Sequence, residues 1–592
     1  MIYSNEQIDK IRNSKKPDNR VHKSRRINNY RDLAFYSIEH YADHIAYKYK
    51  NKPSDKEIIK KTYADAGRDM KAFGTAMLNR KAEKIAVIGK NRYEWCMTYL
   101  GTTTAGLIIV PLDRQLPERE IENLVRRSGV DTIVCDSTYV EVLKKLRKSN
   151  ETNLKTIISM DKIEDKEVEI WEDVKNEGQK QIENGDTKYD KVEIDENKMA
   201  IILFTSGTTS EAKGVMLSQK NVCVNVEDMA TYSKMYDTDI ILSVLPLHHT
   251  FECTISFLYG FYSGICIAFC DGLKYYAQNL KEYEVTIIVA VPALLEAIYK
   301  KIKKGIEESG QKDKFEKGVK ISKALMKLHI DVRKKLFKEV RENLGEHIRI
   351  IYYGAAQMEK ETIEGYYNIG IDSVQGYGLT ETSPILTAET DKKHKAGTVG
   401  TCFPAIEMKI IDENEDGEGE VCTRGASIML GYYENEELTK KVIDEDGWFK
   451  TGDFGYFDKE GFLHLTGRKN DIIVLKNGKN VYPEEIEGMI NKIPYISESL
   501  VFSRNENKTD TLLGAKIVYD EKELKEEYPD INLKDENSIE KTIMEDIKNK
   551  VNTNLAAYKH VKKVIITTEK MEKTTTSKIK RNIELQKLVN LK

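Results

Sequence analysis

The sequence predicts an α/β protein: a large multi-layer N-terminal domain carrying a distorted β-rich subdomain, followed by a small α+β C-terminal domain. Three observations predict it. At 592 residues the chain exceeds what one hydrophobic core can serve, and domains of roughly 100 to 200 residues imply several compact units. From Asn29 to Gly376 short β-branched runs alternate with helical patterns, which is the signature of layered α/β architecture. After Ala396, short strands separated by Gly and Asp turns replace that alternation.

Taken in order, Lys84 to Gly89 reads as a strand and Tyr93 to Ala105 as the helix after it. Ala200 to Phe204 is an apolar strand. Thr286 to Ile298 reads as a strand and helix. The β-rich subdomain, at about 396–466, takes its strands from Ile406 to Asp412, Gly419 to Thr423 and Gly461 to Thr466. From Asp471 onward mixed patterns resume, with Pro483 to Ile490 starting a helix and Leu512 to Val518 forming a strand.

Two charged stretches interrupt this order. Residues 300–346 hold 15 Lys and Arg against 8 Asp and Glu, an excess of seven positive charges. Ile321, Leu325, Leu328, Val332, Phe337, Val340 and Leu344 fall near helical spacing, so its second half is expected to form one amphipathic helix. A solvated helix with one core face is favoured over a membrane-surface role. Residues 521–550 read as an insertion in the C-terminal domain, with no function assigned.

Charged residues at 32% and apolar ones at 40% give the balance of a soluble globular protein. The net charge of -3 gives no pull toward nucleic acid. Met1 to Asn28 is polar and basic and lacks the apolar run of a secretory signal. The most apolar segments fall far short of the roughly 20 residues needed to cross a bilayer, so any membrane contact is expected to be peripheral. The eight cysteines lack CxxC spacing and read as reduced. A cytoplasmic protein is expected, with any membrane contact at the inner face. Oligomeric state is not readable.

The segment with the strongest chemical content is Thr205-Ser-Gly-Thr-Thr-Ser-Glu-Ala-Lys-Gly214, entered by one apolar strand and left by Val215-Met-Leu. Gly207 and Gly214 allow tight turning and offer N–H groups. The hydroxyls of Thr205, Ser206, Thr208 and Thr209 add hydrogen-bonding capacity, and Lys213 adds charge, which together suit a polyphosphate. A Walker A loop would place Gly before the lysine and open a helix. Here Ala212 precedes it and a strand follows, so a P-loop NTPase is disfavoured.

This loop resembles the phosphate-binding signature of the adenylate-forming superfamily of acyl-CoA synthetases, nonribosomal peptide adenylation domains and luciferases. Further motifs follow in that family's order: Tyr377-Gly-Leu-Thr-Glu-Thr382, Thr451-Gly-Asp453, Gly467-Arg-Lys-Asn-Asp471 and Thr576-Ser-Lys-Ile-Lys-Arg581. The resemblance sets the domains at 1–469 and 470–592, the second being mobile. It implies ATP and Mg²⁺ as cofactors and coenzyme A as the acyl acceptor. By resemblance, Ser206, Gly207, Thr208, Thr209 and Lys213 would cradle the phosphates, and Glu381 with Thr205 would hold Mg²⁺. Thr382 would touch the α-phosphate. Gly354, Ala355, Ala356, Tyr377 and Gly378 would form the adenine pocket, Asp453 would accept the ribose hydroxyls, and Arg468 would assist there.

Lys578 is the expected catalytic lysine, bridging carboxylate and α-phosphate oxygens as charge develops. Where the family usually has Gly before this lysine, Ser577 stands here. In Pro246-Leu-His-His-Thr-Phe251, His249 would line the carboxylate end of the acyl pocket; a histidine satisfied at a helix start is the plainer reading. A metal site beside Glu252 lacks a third ligand. Asn470 would be the hinge, and rotation about it would bring Gly478 to the thiol tunnel, though that loop could equally be a hairpin turn.

Ser210 and Ala212, in place of the commoner Gly and Pro, together with the 300–346 stretch resemble bacterial long-chain fatty acid CoA ligases. A fatty acid substrate follows from that resemblance, with Thr286 to Ile298 expected as one pocket wall. Three alternatives stay open: an aryl or medium-chain acid, an acyl carrier protein as acceptor, and a non-catalytic lipid-binding relative.

Overall fold

The computed structural model describes residues 2–589 except 16, 150, 206–211, 357, 416, 476–479, 506–510 and 574–578. Two large sheets organise residues before about 400. One has eight strands, in the order Gly431–Tyr432, Lys213–Ser218, Met199–Thr205, Ile108–Pro111, Lys84–Ile88, Thr132–Cys135, Thr156–Ser159 and Glu169–Ile170. The other has nine, in the order Thr401–Cys402, Ile385–Ala388, Asp372–Gly378, Ile350–Tyr353, Ile287–Ala290, Ile240–Ser243, Cys266–Phe269, Ile45–Tyr49 and Ile59–Thr62. The central strands of both run parallel.

Parallel strands covered on both faces must be apolar on both, and these are. In Lys84–Ile88, Ile85 and Val87 join the core between the sheets, whereas Ala86 and Ile88 face outward under the helices Glu118–Ser128 and Val140–Lys148. In Ile287–Ala290 the same alternation sends Ile287 and Val289 one way and Ile288 and Ala290 the other. The helices Tyr93–Thr104 and Gln219–Tyr232 lie within the shared core.

Gln219–Tyr232 is buried along its whole length, so each of its polar side chains needs a partner. Asn221 Nδ2 donates to the Ala426 carbonyl at 2.6 Å and Asn225 Nδ2 to that of Ile385 at 2.7 Å. Glu227 and Asp228 take their partner from the N-terminal helix Asn5–Ser14, which opens with a capping box of Ser4 and Gln7. Arg12 Nη1 donates to Glu227 at 2.6 Å and Arg12 Nε to Asp228 at 2.9 Å.

Beyond the large sheets, Ile406–Ile411, Gly419–Gly425, Phe449–Phe457 and Leu463–Arg468 form a four-stranded antiparallel sheet whose pairings slip register, as the expected distortion requires. Phe449–Phe457 was not among the expected strands, because its Gly452, Asp453 and Gly455 read as turn residues. The C-terminal unit pairs Ile496–Asn505 with Thr511–Tyr519 antiparallel and adds Val561–Thr567 parallel to the latter. The helix Pro483–Ile490 packs against this sheet.

One expectation is corrected. The 300–346 stretch is not finished by one amphipathic helix: Lys312–Met326 ends at a turn where His329 takes a φ of 60°, and the short helices Arg333–Leu336 and Lys338–Leu344 follow. Asp331 accepts from the Arg333 backbone N–H at 3.0 Å, which fixes the restart. Phe337 and Leu344 reach the core, while Ile321 and Leu328 stay 54% and 68% exposed. The 521–550 stretch contributes Leu524, Ile539, Ile543 and Ile547 to the C-terminal core.

Removing one partner of a buried ion pair leaves an uncompensated charge inside. Arg12→Ala is therefore expected to lower unfolding stability by about 3 to 5 kcal/mol in a denaturant titration. A loss below about 1 kcal/mol, the level of an exposed pair, would show that the cluster contributes nothing special.

Candidate active site

The two strands that flank the Thr205–Gly214 segment pair with each other. Met199–Thr205 pairs antiparallel with Lys213–Ser218, with Thr205 opposite Lys213 and Phe204 opposite Gly214. The Thr205 hydroxyl lies 3.5 Å from the Lys213 carbonyl, at the point where the strands part. A strand follows the lysine, as the sequence implied, and the helix begins only at Gln219. Ser206, Gly207, Thr208 and Thr209 lie outside the described residues. A Cβ on Gly214 would sit 3.1 Å from the Tyr433 side chain, so this position stays small.

Lys213 and Glu381 converge on one tyrosine. Lys213 Nζ lies 5.5 Å from the Tyr432 ring centroid, and the Tyr432 hydroxyl donates to Glu381 Oε1 at 2.9 Å. Glu381 sits in the 3₁₀ turn Thr380–Thr382, just past the strand Asp372–Gly378. The Thr382 hydroxyl is fully buried and holds this turn, donating to the Pro384 carbonyl at 2.5 Å and accepting from Leu379 N–H at 3.0 Å. Gly378 has no room for a side chain, since a Cβ would approach the Pro384 carbonyl oxygen to 1.8 Å.

On the same strand, Tyr377 donates its hydroxyl to Asp453 Oδ2 at 2.7 Å. Burial, with the Asp453 charge beside it, holds the Tyr377 phenol well above its usual range, so it stays a donor. Arg468 Nε lies 3.1 Å from Asp453 Oδ1, the two residues being register partners on adjacent strands. Gly354 follows the neighbouring strand Ile350–Tyr353, and a Cβ there would meet the Gly376 carbonyl at 2.8 Å. Ala355 takes a φ of 70°, and Ala355 and Ala356 are exposed at the same sheet end. Asn470 is exposed in the turn Lys469–Asp471 directly after Arg468.

His249 precedes the short helix Thr250–Glu252, which continues as a π-helical stretch over Cys253–Tyr259. Burial, aided by the His248 ring 4.1 Å away, pulls the His249 imidazole down to about 3, so it is neutral at physiological pH. Glu252 is enclosed completely, and its carboxylate accepts from the Ser243 and Ser256 hydroxyls at 2.6 and 2.9 Å. Burial raises it to about 8. Among the described residues no three His, Cys, Asp or Glu side chains form a metal-binding group. All eight cysteines are free, and no helix among the described residues is long and apolar enough to cross a membrane.

Phe251, Ile255, Val374 and Gly376 line a mostly apolar pocket, with about 370 Å³ of empty space counted together with the solvent it opens to. Thr286 to Ile298, expected as a pocket wall, does not line this pocket. Ile287–Ala290 is two strands from Asp372–Gly378, and its side chains fill the cores on both faces. The lining comes instead from Gln219–Tyr232, the helix after His249 and the strands flanking Gly376.

Lys578 and Gly478 lie outside the described residues. Lys573 and Ile579 bracket the lysine segment with an isolated bridge. Arg581 anchors its far side, donating to Glu487 at 2.7 Å and to the Val501 carbonyl at 2.8 Å.

Sequence reasoning missed Tyr432, Asn225 and the pocket tyrosines. Tyr432 occupies a two-residue strand too short to show a period, and Asn225 looks like any polar position in a helix. Their value comes from chain segments far apart in sequence.

The sequence profile of the AMP-binding enzyme family matches residues 35–433, and that of the AMP-binding enzyme C-terminal domain matches residues 470–589. Long-chain-fatty-acid–CoA ligase 6 of Mus musculus is 28% identical over 459 residues, covering 72% of this chain and 65% of the mouse protein, so the chain spans less than two thirds of that relative. The chloroplastic long-chain-fatty-acid–[acyl-carrier-protein] ligase AEE15 of Arabidopsis thaliana is 27% identical, covering 83% of this chain and 76% of that one. Among solved structures, ATP-bound MatB from Rhodopseudomonas palustris matches with a TM-score of 0.72 at 20% identity, covering 95% of this chain and 99% of that one. With both profiles matched in order, and the first alone covering more than half of its residues, the chain belongs to the AMP-binding enzyme family.

Proposed function

We propose that this chain is an AMP-forming acid–CoA ligase of two domains, 1–469 and 470–592. It activates a carboxylic acid with ATP, forming an acyl-adenylate and pyrophosphate, and passes the acyl group to the thiol of coenzyme A, releasing AMP. The supporting observation is a set of linked contacts in which Lys213, Tyr432 and Glu381 form one run while Tyr377, four residues before Glu381, meets Asp453, which in turn meets Arg468. A weak nucleophile and a polyphosphate both carry negative charge, so the reaction needs fixed cations and alignment.

Thr205 and Lys213 would take the phosphates with Ser206 to Thr209. Asp453, already fixed by Tyr377 and Arg468, would accept the ribose hydroxyls, and Gly354 to Ala356 would border the base. Glu381 offers one carboxylate to Mg²⁺, with the Thr205 hydroxyl as a further oxygen. A lone carboxylate completed by nucleotide phosphates is a donor set this hard cation favours. When bound, Mg²⁺ supplies charge neutralisation at the phosphates. His249, two residues before Phe251, is neutral and brings no positive charge toward the acid, which leaves that charge to Lys578. Rotation about Asn470 would then exchange Lys578 for the Gly478 loop and admit the thiol.

A long-chain fatty acid is the favoured substrate, supported by the mouse and Arabidopsis relatives and by the apolar pocket. The Arabidopsis relative keeps an acyl carrier protein as the second reading for the acceptor. Peripheral contact with an anionic membrane face, for a cytoplasmic protein, is supported by the exposed Ile321, Leu328, Ile330 and Leu336 among lysines.

Pyrophosphate exchange over a ladder of fatty and aryl acids, followed by addition of coenzyme A or a carrier protein, tests the whole reading; no exchange with any acid would sink it. Lys578→Ala is expected to cut adenylate formation by at least about 100-fold while sparing thioester formation from supplied acyl-AMP. Equal loss in both half-reactions would remove the role assigned to it. Glu381→Gln is expected to raise the magnesium concentration needed for half-maximal exchange, and an unchanged magnesium curve would exclude Glu381 as the ligand.

A further inference from the structure

The acyl pocket has a visible floor. Its mouth is at Phe251 and Gly376, since a Cβ on the crevice residue Gly354 would touch both the Gly376 carbonyl and the Phe251 ring. From there the lining runs back along the strands toward Ser233, Tyr259 and Tyr352. Ser233 pins both tyrosines: its hydroxyl lies 2.8 Å from the Tyr352 hydroxyl, and its carbonyl accepts from Tyr259 at 2.5 Å. Tyr259 is held a second time, accepting from Met235 N–H at 3.3 Å. Beside them stands the buried Glu389 carboxylate, occupied by Gln375 N–H at 3.1 Å and Lys395 N–H at 2.8 Å.

An apolar chain reaching this end meets two fixed phenol rings and, beyond them, a carboxylate that tolerates no loss of its donors. We infer that Tyr259 and Tyr352, locked by Ser233, are the stop that sets how long an acyl chain this protein accepts. The inference rests on the acid-activating reading, and it names the residues that choose among acids.

The test is a ladder of saturated acids from hexanoate to stearate, read twice: as kcat/KM in pyrophosphate exchange, and as displacement of a fluorescent fatty acid from the intact protein. Tyr352→Leu deepens the floor, so its preference for longer over shorter acids is expected to rise about tenfold, the worth of roughly two buried methylenes. Val374→Phe, which adds a ring beside Tyr352 on the adjacent strand, is expected to move the preference the same amount toward shorter acids. Tyr352→Phe keeps the ring and loses only the hydroxyl, so its shift should be smaller than that of Tyr352→Leu. The opposed shifts keep the idea testable even if one variant folds poorly. Unchanged ladders in active Tyr352→Leu and Val374→Phe proteins would overturn it. Absence of exchange with every acid in the unaltered protein would instead defeat the ligase reading, and the displacement ladder would then judge the floor by itself.

Discussion

The carboxylate of Asp453 is the fixed point of this molecule's crevice. It is 5% exposed, and a charge so enclosed persists only with partners. Tyr377 supplies one from the nine-stranded sheet and Arg468 another from the adjacent strand of the small antiparallel sheet. Because those partners come from different sheets, satisfying one charge also fixes how the small sheet stands against the large one. The turn carrying Glu381 follows Tyr377 by four residues, so its position is inherited from the same constraint. Arg468 in turn is the last strand residue before the C-terminal unit, which places the start of that unit against the crevice.

The second organising element is the buried helix Gln219–Tyr232. Asn225 reaches the Ile385 carbonyl beyond the Glu381 turn, while Met229 and Tyr232 line the pocket. One rigid rod thus borders both the Glu381 turn and the pocket beside Phe251. The helix also begins immediately after the strand Lys213–Ser218, so strand, turn and pocket share a single mechanical support.

Much of this was legible in the sequence wherever physics acts locally. Apolar runs marked the doubly covered strands, and a lysine followed by β-branched and apolar residues marked a strand rather than a Walker A helix. Legibility ended where the deciding contacts are distant. Phe449–Phe457 carries Asp453 and was not among the expected strands; its glycines suit the register slips of a distorted sheet as well as they suit turns. The 300–346 stretch has helical spacing throughout, but the pairing of Asp331 with Arg333 and the left-handed His329 break it, which no periodicity reveals. Thr286 to Ile298 had the right composition for a pocket wall, and only strand order shows that it belongs to the core.

The helix Asn5–Ser14 precedes the first residue matched by the family profile, and it holds the guanidinium that neutralises Glu227 and Asp228. A fragment beginning at the profile's first residue, Phe35, would keep every recognised motif and discard that counter-ion. Two carboxylates would then be left uncompensated inside the helix whose Met229 and Tyr232 line the pocket. The leading segment is in that sense a remote support of that pocket, invisible to any definition of the protein drawn from its motifs alone.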